Sequence, residues 1–304
     1  MDTDFVREGG AYRFSLTSYR PIASPLLNHA DKLIKSIDPQ RELRPVEVPQ
    51  LHSWTWTFTG TIPEKIANEL RGTATALAVD SALLTGEMAT TGPQLIVTDV
   101  DSTFITTEII EMLAAHADTE AEVRAITTAA MRGELDFAES LRERVATLAG
   151  VPQTVFQEIL AEVELTAGAQ RLVDAVHARG GHFGLVSGGF TPLLAPIAEK
   201  SGVDVYIANG LEIVDGKLTG RTQGPIVDRQ AKADAVQRWS AQYGITPAQT
   251  LCAGDGANDL AMMAIAGMSV AFNAHPVVVE NASCAVSFPR LDAICALLGW
   301  DVPS

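Results

Sequence analysis

The sequence predicts an α/β protein, a Rossmann-like doubly wound parallel sheet preceded by a small α+β unit. Three observations carry that reading. Leu95-Ile96-Val97-Thr98 is an apolar run that ends in Asp99 and Asp101, the pattern of a strand buried on both faces whose carboxyl end opens onto a ligand site. Similar runs at 182–187, 203–207, 250–253 and 269–272 are separated by helical periodicity, which right-handed crossovers turn into a layered sheet. The first 90 residues differ: their clearest strand alternates polar and apolar residues, as a sheet with one buried face does.

From the amino terminus, residues 12–19 have the character of a strand, and Ser24-Pro25 supply an N-cap and a first-turn proline for a helix to about residue 37. Residues 41–50 are charged and hold two prolines, which predicts a loop. In residues 52–59, Trp54, Trp56 and Phe58 share one face and Ser53, Thr55 and Thr57 the other, a half-buried strand with its aromatic side on the core. A helix from about residue 63 follows, with Ile66, Leu70, Ala74 and Leu77 on one stripe. This βαβα unit shows no catalytic constellation, and a boundary near residues 86–92 separates residues 1–90 from a core of 91–304.

Two insertions interrupt the core. Residues about 105–165 are helical in pattern and too long for a simple crossover, which predicts a cap over the first strand's end. Residues about 208–227 contain Asp215-Gly216 flanked by apolar residues, the signal of a β-hairpin.

The bulk composition limits the function. Apolar residues make up 47% of the 304, enough for a sizeable core, and the formal net charge is −15, which argues against nucleic acid and anionic membrane surfaces as partners. No apolar run reaches spanning length and the first residues lack a basic and an apolar region. Cys252, Cys284 and Cys295 are odd in number and lack metal-ligand spacing, so reduced thiols in a cytoplasmic protein are expected.

Against this acidic background the motifs point to phosphoryl transfer on Mg²⁺. Asp99, at the strand end, is the expected nucleophile, forming an aspartyl phosphate that divides hydrolysis into two steps. Asp101, two residues on along an extended segment, is placed to protonate the leaving alkoxide and then activate water. A second acidic cluster, Gly254-Asp255-Gly256-Ala257-Asn258-Asp259, would be an ordinary turn in isolation. Beside the Asp99/Asp101 strand end it completes an oxygen-ligand set for Mg²⁺, with Asp99, the main-chain carbonyl of Asp101 and Asp255 as ligands and Asn258 and Asp259 orienting them. Ser187-Gly188-Gly189 follows a strand and offers a hydroxyl and backbone N–H groups to phosphate. Lys232 is the candidate cation for the transferring group.

The ordered set DVDST, SGG, Lys232 and GDGAND resembles the four-motif signature of the haloacid-dehalogenase-like (HAD) phosphohydrolases. The segment 130–145, with Glu108 after DVDST, resembles the cap of the phosphoserine phosphatases within that family; the likeness covers roughly residues 95–300. It implies an enzyme that hydrolyses O-phospho-L-serine, the last step of L-serine biosynthesis. Arg144 would grip the substrate carboxylate, Glu108 would accept from the ammonium, Met131 and Phe137 would pack over the substrate, and Gly188 would contact the phosphate. Residues 1–90 lack a clear copy of the regulatory amino-acid-binding (ACT-like) fold that often precedes such enzymes, though their order is compatible with a shortened version. They are read as binding a free amino acid, mediating homodimerisation, or bracing the core. The rival readings are a HAD phosphatase or phosphotransferase for another small phosphate monoester and a serine-sensing or scaffold protein with a silent site.

Overall fold

The computed structural model describes residues 10–131 and 134–302. Its amino-terminal unit comprises β1 (Gly10–Ser18), α1 (Ser24–Lys35), β2 (Glu42–Val46), β3 (His52–Gly60), α2 (Glu64–Ala76) and β4 (Asp80–Thr85). The four strands form an antiparallel sheet in the order β2-β3-β1-β4, which is the βαββαβ arrangement of ferredoxin-like units. The expected βαβα order is therefore corrected by two strands. β2 falls in the segment read as a loop because it is an edge strand. Its first four residues are exposed, so no buried face imposes alternation, and Pro45 and the flanking charges are tolerated only at such an edge.

Both faces of this sheet are covered, by different chemistry. Tyr12, Phe14, Leu16, Trp56 and Phe58 pack with Leu26, Ile34 and Leu70 of α1 and α2 in one apolar cluster. On the opposite face Ser15 and Thr55 share a hydrogen bond of 2.9 Å, and Thr17 and Ser53 one of 2.8 Å. These hydroxyls are buried rather than solvated, because α3 (Gly86–Thr90) and a helix near the carboxyl terminus pack on them. The strand read as half-buried is thus buried on both sides, and paired hydroxyls satisfy one another where water is excluded.

The core begins with β5 (Leu95–Thr98), followed by the cap helices α4 (Ile109–His116), α5 (Glu120–Met131), α6 (Phe137–Ala146) and α7 (Val155–Glu162). Then come α8 (Ala169–His177), β6 (His182–Phe190), α9 (Thr191–Ser201), the hairpin β7 (Val205–Val214) and β8 (Lys217–Gln223), and α10 (Arg229–Tyr243). The chain closes with β9 (Thr250–Gly254), α11 (Leu260–Ile265), β10 (Met268–Phe272), α12 (Pro276–Val279), β11 (Cys284–Val286) and α13 (Ala293–Leu297), the helix that covers the hydroxyl face. Seven strands make one sheet in the order β11-β10-β9-β5-β6-β7-β8, parallel except for the β7/β8 pair. All five expected core strands are present. β11, only three residues long, was too short to read.

β5 is central, with connections leaving it in both directions, so its carboxyl end lies at the switch point where such sheets bind ligands. The cap is closed at its base by Thr106 N–H to Glu164 O and Thr166 N–H to Phe104 O, both 3.0 Å. The hairpin turns through Asp215 and Gly216, both at positive φ (50° and 74°), as a two-residue turn of type I′ requires. It clasps the cap's far end through Gly150 N–H to Leu218 O (2.8 Å) and Leu218 N–H to Val151 O (2.9 Å).

Arg13 of β1 ties the small sheet to the core: its guanidinium donates to Ala89 O (3.1 Å) and Leu298 O (2.9 Å). Arg13→Ala should cost about 1.5–3 kcal/mol of stability, the usual range for hydrogen bonds to a charged group, read as a lower urea midpoint with an unchanged m-value. An unchanged midpoint would show that the tie carries no stability.

Candidate active site

Asp99 follows β5, where its N–H extends the ladder to Ala253 O (2.9 Å). Its side chain is fixed by three donors: Val100 N–H (2.7 Å) on Oδ1, and Asn258 Nδ2 (3.2 Å) and Lys232 Nζ (2.8 Å) on Oδ2. Lys232 also reaches Asp259 Oδ1 at 2.8 Å. It comes from the first turns of α10, whose N-cap Asp228 accepts from Ala231 N–H (2.8 Å). Lys232 is 1% exposed and Asp259 0%. Burial works to lower the ammonium's pKa, but the charges of Asp259 and Asp99 outweigh it and hold the pKa above the ordinary lysine value. An acidic protein has here placed its positive charge where carboxylates converge.

After Asp99 the chain makes a wide turn over residues 100–104, closed by Ile105 N–H to Val100 O (3.0 Å) and passing through Ser102 at φ 57°. The turn aims Asp101 into the site, where Oδ1 accepts from Ile109 N–H (2.8 Å) and Oδ2 from the Ser187 hydroxyl (3.1 Å). Burial first, then the charges of Glu108 and Asp99, push the Asp101 carboxyl up to about 7. A carboxyl so displaced keeps a substantial protonated fraction near neutral pH, which suits a general acid. Ser187 receives Gly189 N–H at 2.7 Å, and this orients its hydroxyl proton toward Asp101. Gly189 is needed there, since a Cβ would stand 2.9 Å from Ser187 Oγ and 3.0 Å from Asp101 Oδ2.

Above this floor lies a cavity of about 410 Å³ lined by Asp99, Asp101, Glu108, Phe137, Arg144, Gly188, Asp255 and Asn258. The sequence-predicted residues are thus brought together from β5, β6, the cap and the loop after β9. Lys232, Ser187 and Asp259 stand behind this lining, joined to it by the hydrogen bonds above. The Met131 side chain lies outside the described residues. Phe137 opens α6, whose N-cap Asp136 and Glu139 form a capping box (2.8 and 3.0 Å), and its ring lies over Gly188, where an added Cβ would come within 3.2 Å of it. Burial pulls the Arg144 guanidinium below its ordinary pKa, against the opposing pull of Glu108 and Asp101. Burial likewise raises Glu108, which accepts from the Ser102 hydroxyl at 2.8 Å.

Several participants were not singled out from the sequence. Thr103, fully buried, donates to Asp255 Oδ1 (2.9 Å), and Ile110, Thr127, Leu135 and Ser140 are among the further residues of the cavity wall. Thr103 and Ser102 stood inside the DVDST motif and a hydroxyl beside two carboxylates was a readable signal; Leu135 and Ser140 lie within the cap segment 130–145 but had no individual signal, and Ile110 and Thr127, on α4 and α5, left none.

The donor set fits a hard divalent cation. Asp99, Asp255 and Asp259 bring one carboxylate oxygen each within 4.8 Å of one another, and burial, then the charge of Asp99, raises Asp255, so a cation would relieve real repulsion. Asp259 is the most deeply buried of the three, 0% exposed against 6% for Asp99, with Oδ1 on Lys232 and Oδ2 on Gly256 N–H (3.1 Å). Asp99 and Asp255 could then serve as side-chain ligands, with Asp259 as their support. Asp101's side-chain oxygens face Ile109 and Ser187, so any share it has in a metal site falls to its main-chain carbonyl.

The haloacid dehalogenase-like hydrolase model matches residues 96–264, more than half of the chain. The chain belongs to the haloacid dehalogenase-like hydrolases. Among curated members of this family, the phosphoserine phosphatase of Streptomyces coelicolor is 48% identical over 244 residues, covering 80% of this chain and 60% of that protein. That of Mycobacterium tuberculosis is 49% identical over 221 residues, covering 73% of this chain and 54% of that protein. The chain therefore spans less than two thirds of the length of these two relatives. The phosphoserine phosphatase of Streptococcus thermophilus is 44% identical, and 95% of it is covered. In three dimensions, a probable phosphoserine phosphatase of Vibrio cholerae superposes with a TM-score of 0.74 at 31% identity, covering 94% of this chain and 86% of that one. A substrate-bound phosphoserine phosphatase complex superposes with a TM-score of 0.63 at 36% identity, covering 66% of this chain and 96% of that one.

In this haloacid dehalogenase-like hydrolase, Lys232→Met should cost about 3–5 kcal/mol of stability, since it leaves buried carboxylates without their cation. The loss should be smaller at pH 5 than at pH 8. Burial already raises Asp259; a carboxyl whose folded pKa lies above its unfolded one weakens the fold at high pH and is relieved as falling pH protonates it. Urea titrations at both pH values read the difference, and a loss that grows toward pH 5 would contradict the assignment.

Proposed function

We propose that the protein hydrolyses O-phospho-L-serine to L-serine and phosphate, with Mg²⁺ as cofactor and an aspartyl phosphate on Asp99 as intermediate. The observation that carries the substrate is the pairing of charges within one cavity: Asp99 and Asp101 at the floor, Arg144 and Glu108 on the wall. Phosphoserine offers a phosphate, a carboxylate and an ammonium, and those wall residues complement the last two in sign. The names of the curated relatives agree with this substrate.

The chemistry divides among the chain's own groups. Asp99 attacks phosphorus in line while Asp101 gives its proton to the serine oxygen as the P–O bond breaks, releasing neutral-alcohol L-serine. Asp101, now a carboxylate, takes a proton from water as that water attacks the aspartyl phosphate; phosphate leaves and the Asp99 carboxylate is restored. Lys232, the Ser187-Gly188-Gly189 turn and Asn258 hold the phosphoryl oxygens or the nucleophile by position and charge. Mg²⁺, held by Asp99, Asp255 and the main-chain carbonyl of Asp101, would offset the repulsion between nucleophile and phosphate. Phe137 and the cap exclude water while the substrate is bound. The reaction completes L-serine biosynthesis in the cytoplasm; among the described residues no helix is long and apolar enough to cross a membrane. A homodimer formed through residues 1–90 remains part of this proposal, with the exposed edge β2 as its available strand.

Two variants test the roles. Asp101→Asn should lower turnover of phosphoserine by at least about 10²-fold, the lower range for loss of a general acid. With p-nitrophenyl phosphate, whose leaving group needs no proton, the same variant should give a burst of one nitrophenol per site and then stall. Equal slowing of both substrates from the first turnover would remove Asp101 as the acid. Arg144→Ala should raise KM for phosphoserine by roughly 10–100-fold, the loss expected for a charge-assisted pair, and leave the aryl phosphate almost untouched. Parallel losses on the two substrates would retire the carboxylate contact and leave a phosphatase for another small monoester. Chelation of Mg²⁺ should abolish both activities, and its return should restore them.

A further inference from the structure

Asn209, in β7, is 1% exposed, and all three of its hydrogen bonds go to main-chain groups of other segments. Its Nδ2 donates to Gly188 O (2.8 Å) and Gly189 O (3.3 Å), and its Oδ1 accepts from Val227 N–H (2.8 Å). The first two partners belong to the turn after Ser187. In that turn Gly189 N–H reaches Ser187 Oγ (2.7 Å) and the Ser187 hydroxyl reaches Asp101 (3.1 Å). The third partner immediately precedes Asp228, the N-cap that starts α10 and brings Lys232 onto Asp99 at 2.8 Å. One planar carboxamide therefore joins two separate segments, the turn after Ser187 and the start of α10, each through rigid main chain rather than through a flexible side chain.

We propose that Asn209 is a positioning residue for the anion: it fixes the Ser187-Gly188-Gly189 turn against the start of α10, so that the turn and the Lys232 ammonium converge on one phosphoryl group. The inference rests on the phosphatase reading for the nature of that anion. Only a carboxamide meets the requirement, with two donors and one acceptor on a short stem. A carboxylate keeps the acceptor for Val227 and sets a negative oxygen against two carbonyls; an alanine leaves all three partners unpaired in a buried place.

The test compares Asn209→Asp and Asn209→Ala with the unaltered full-length protein, in Mg²⁺, by calorimetric titration of inorganic phosphate and, separately, of L-serine. Phosphate affinity should fall about tenfold or more, the equivalent of one misaligned hydrogen bond to a charged group. L-serine affinity, which depends on Arg144 and Glu108, should stay within about twofold. Equal losses for both ligands, or no loss for phosphate, would overturn the proposal, because a merely structural residue would not separate them. Should the variants fail to fold, the unaltered protein still decides: phosphate should shift the Asn209 side-chain amide resonances and leave those of Asn281 in place, and an unmoved Asn209 would overturn the assignment. An unaltered protein that binds phosphate but does not hydrolyse phosphoserine would defeat the substrate reading alone, since the phosphate titrations judge Asn209 without it.

Discussion

Lys232 lies between Asp99 and Asp259 with 2.8 Å to each, and the surrounding structure is arranged to make that buried contact tolerable. Removing an ammonium and two carboxylates from water costs several kcal/mol per ion, and only close, well-directed partners offset it. Each partner is accordingly held by something else. Asp259 takes Gly256 N–H, Asp99 takes Val100 N–H and Asn258, and the helix bearing Lys232 is capped by Asp228. Even the strand leading to the loop conforms: at Gly254 an added Cβ would lie 2.2 Å from Asp259 Oδ2, so the ion pair dictates a glycine.

The same constraint explains how a chain of net charge −15 could present a site to the phosphate proposed above. Total charge governs long-range attraction, which salt screens over about 10 Å; at contact distance a buried cation and directed N–H groups count for more. The carboxylates around that cation differ in duty because their surroundings differ. Asp99 is encircled by donors, while Asp101 sits where burial and Glu108 favour its protonated form. Neighbouring acids two residues apart thus acquire different surroundings from position alone, which is what the roles proposed for them require.

Much of this was legible in the sequence where a residue broke its local rule. Two aspartates after a fully apolar run conflict with burial unless they serve a ligand, so β5 and the floor of the site could be read directly, as could Asp215-Gly216 with its demand for positive φ. β2 was not legible, because an exposed edge strand with a proline carries no burial pattern. Nor was the covered hydroxyl face of β1 and β3, since Ser53 and Thr55 look the same whether they meet water or one another. Asn209 left no trace for a related reason: its partners are backbone groups, which every residue type supplies. The cap roles proposed for Arg144 and Glu108 came from family resemblance and not from the residues, which alone suggest a solvated helix face.

That hydroxyl face has a consequence for how the chain can be divided. Sheets usually keep one side for their own helices and lend the other to water or to a removable partner. Here Ser15, Thr17, Ser53 and Thr55 lie under α3 and α13, and α13 is buried along its whole length. A cut near residue 90 would wet both surfaces at once, baring an apolar helix on the larger piece. The boundary visible in the order of residues is therefore not a seam in the interior, and residues 10–90 are less a cassette than a wall the rest of the house leans on.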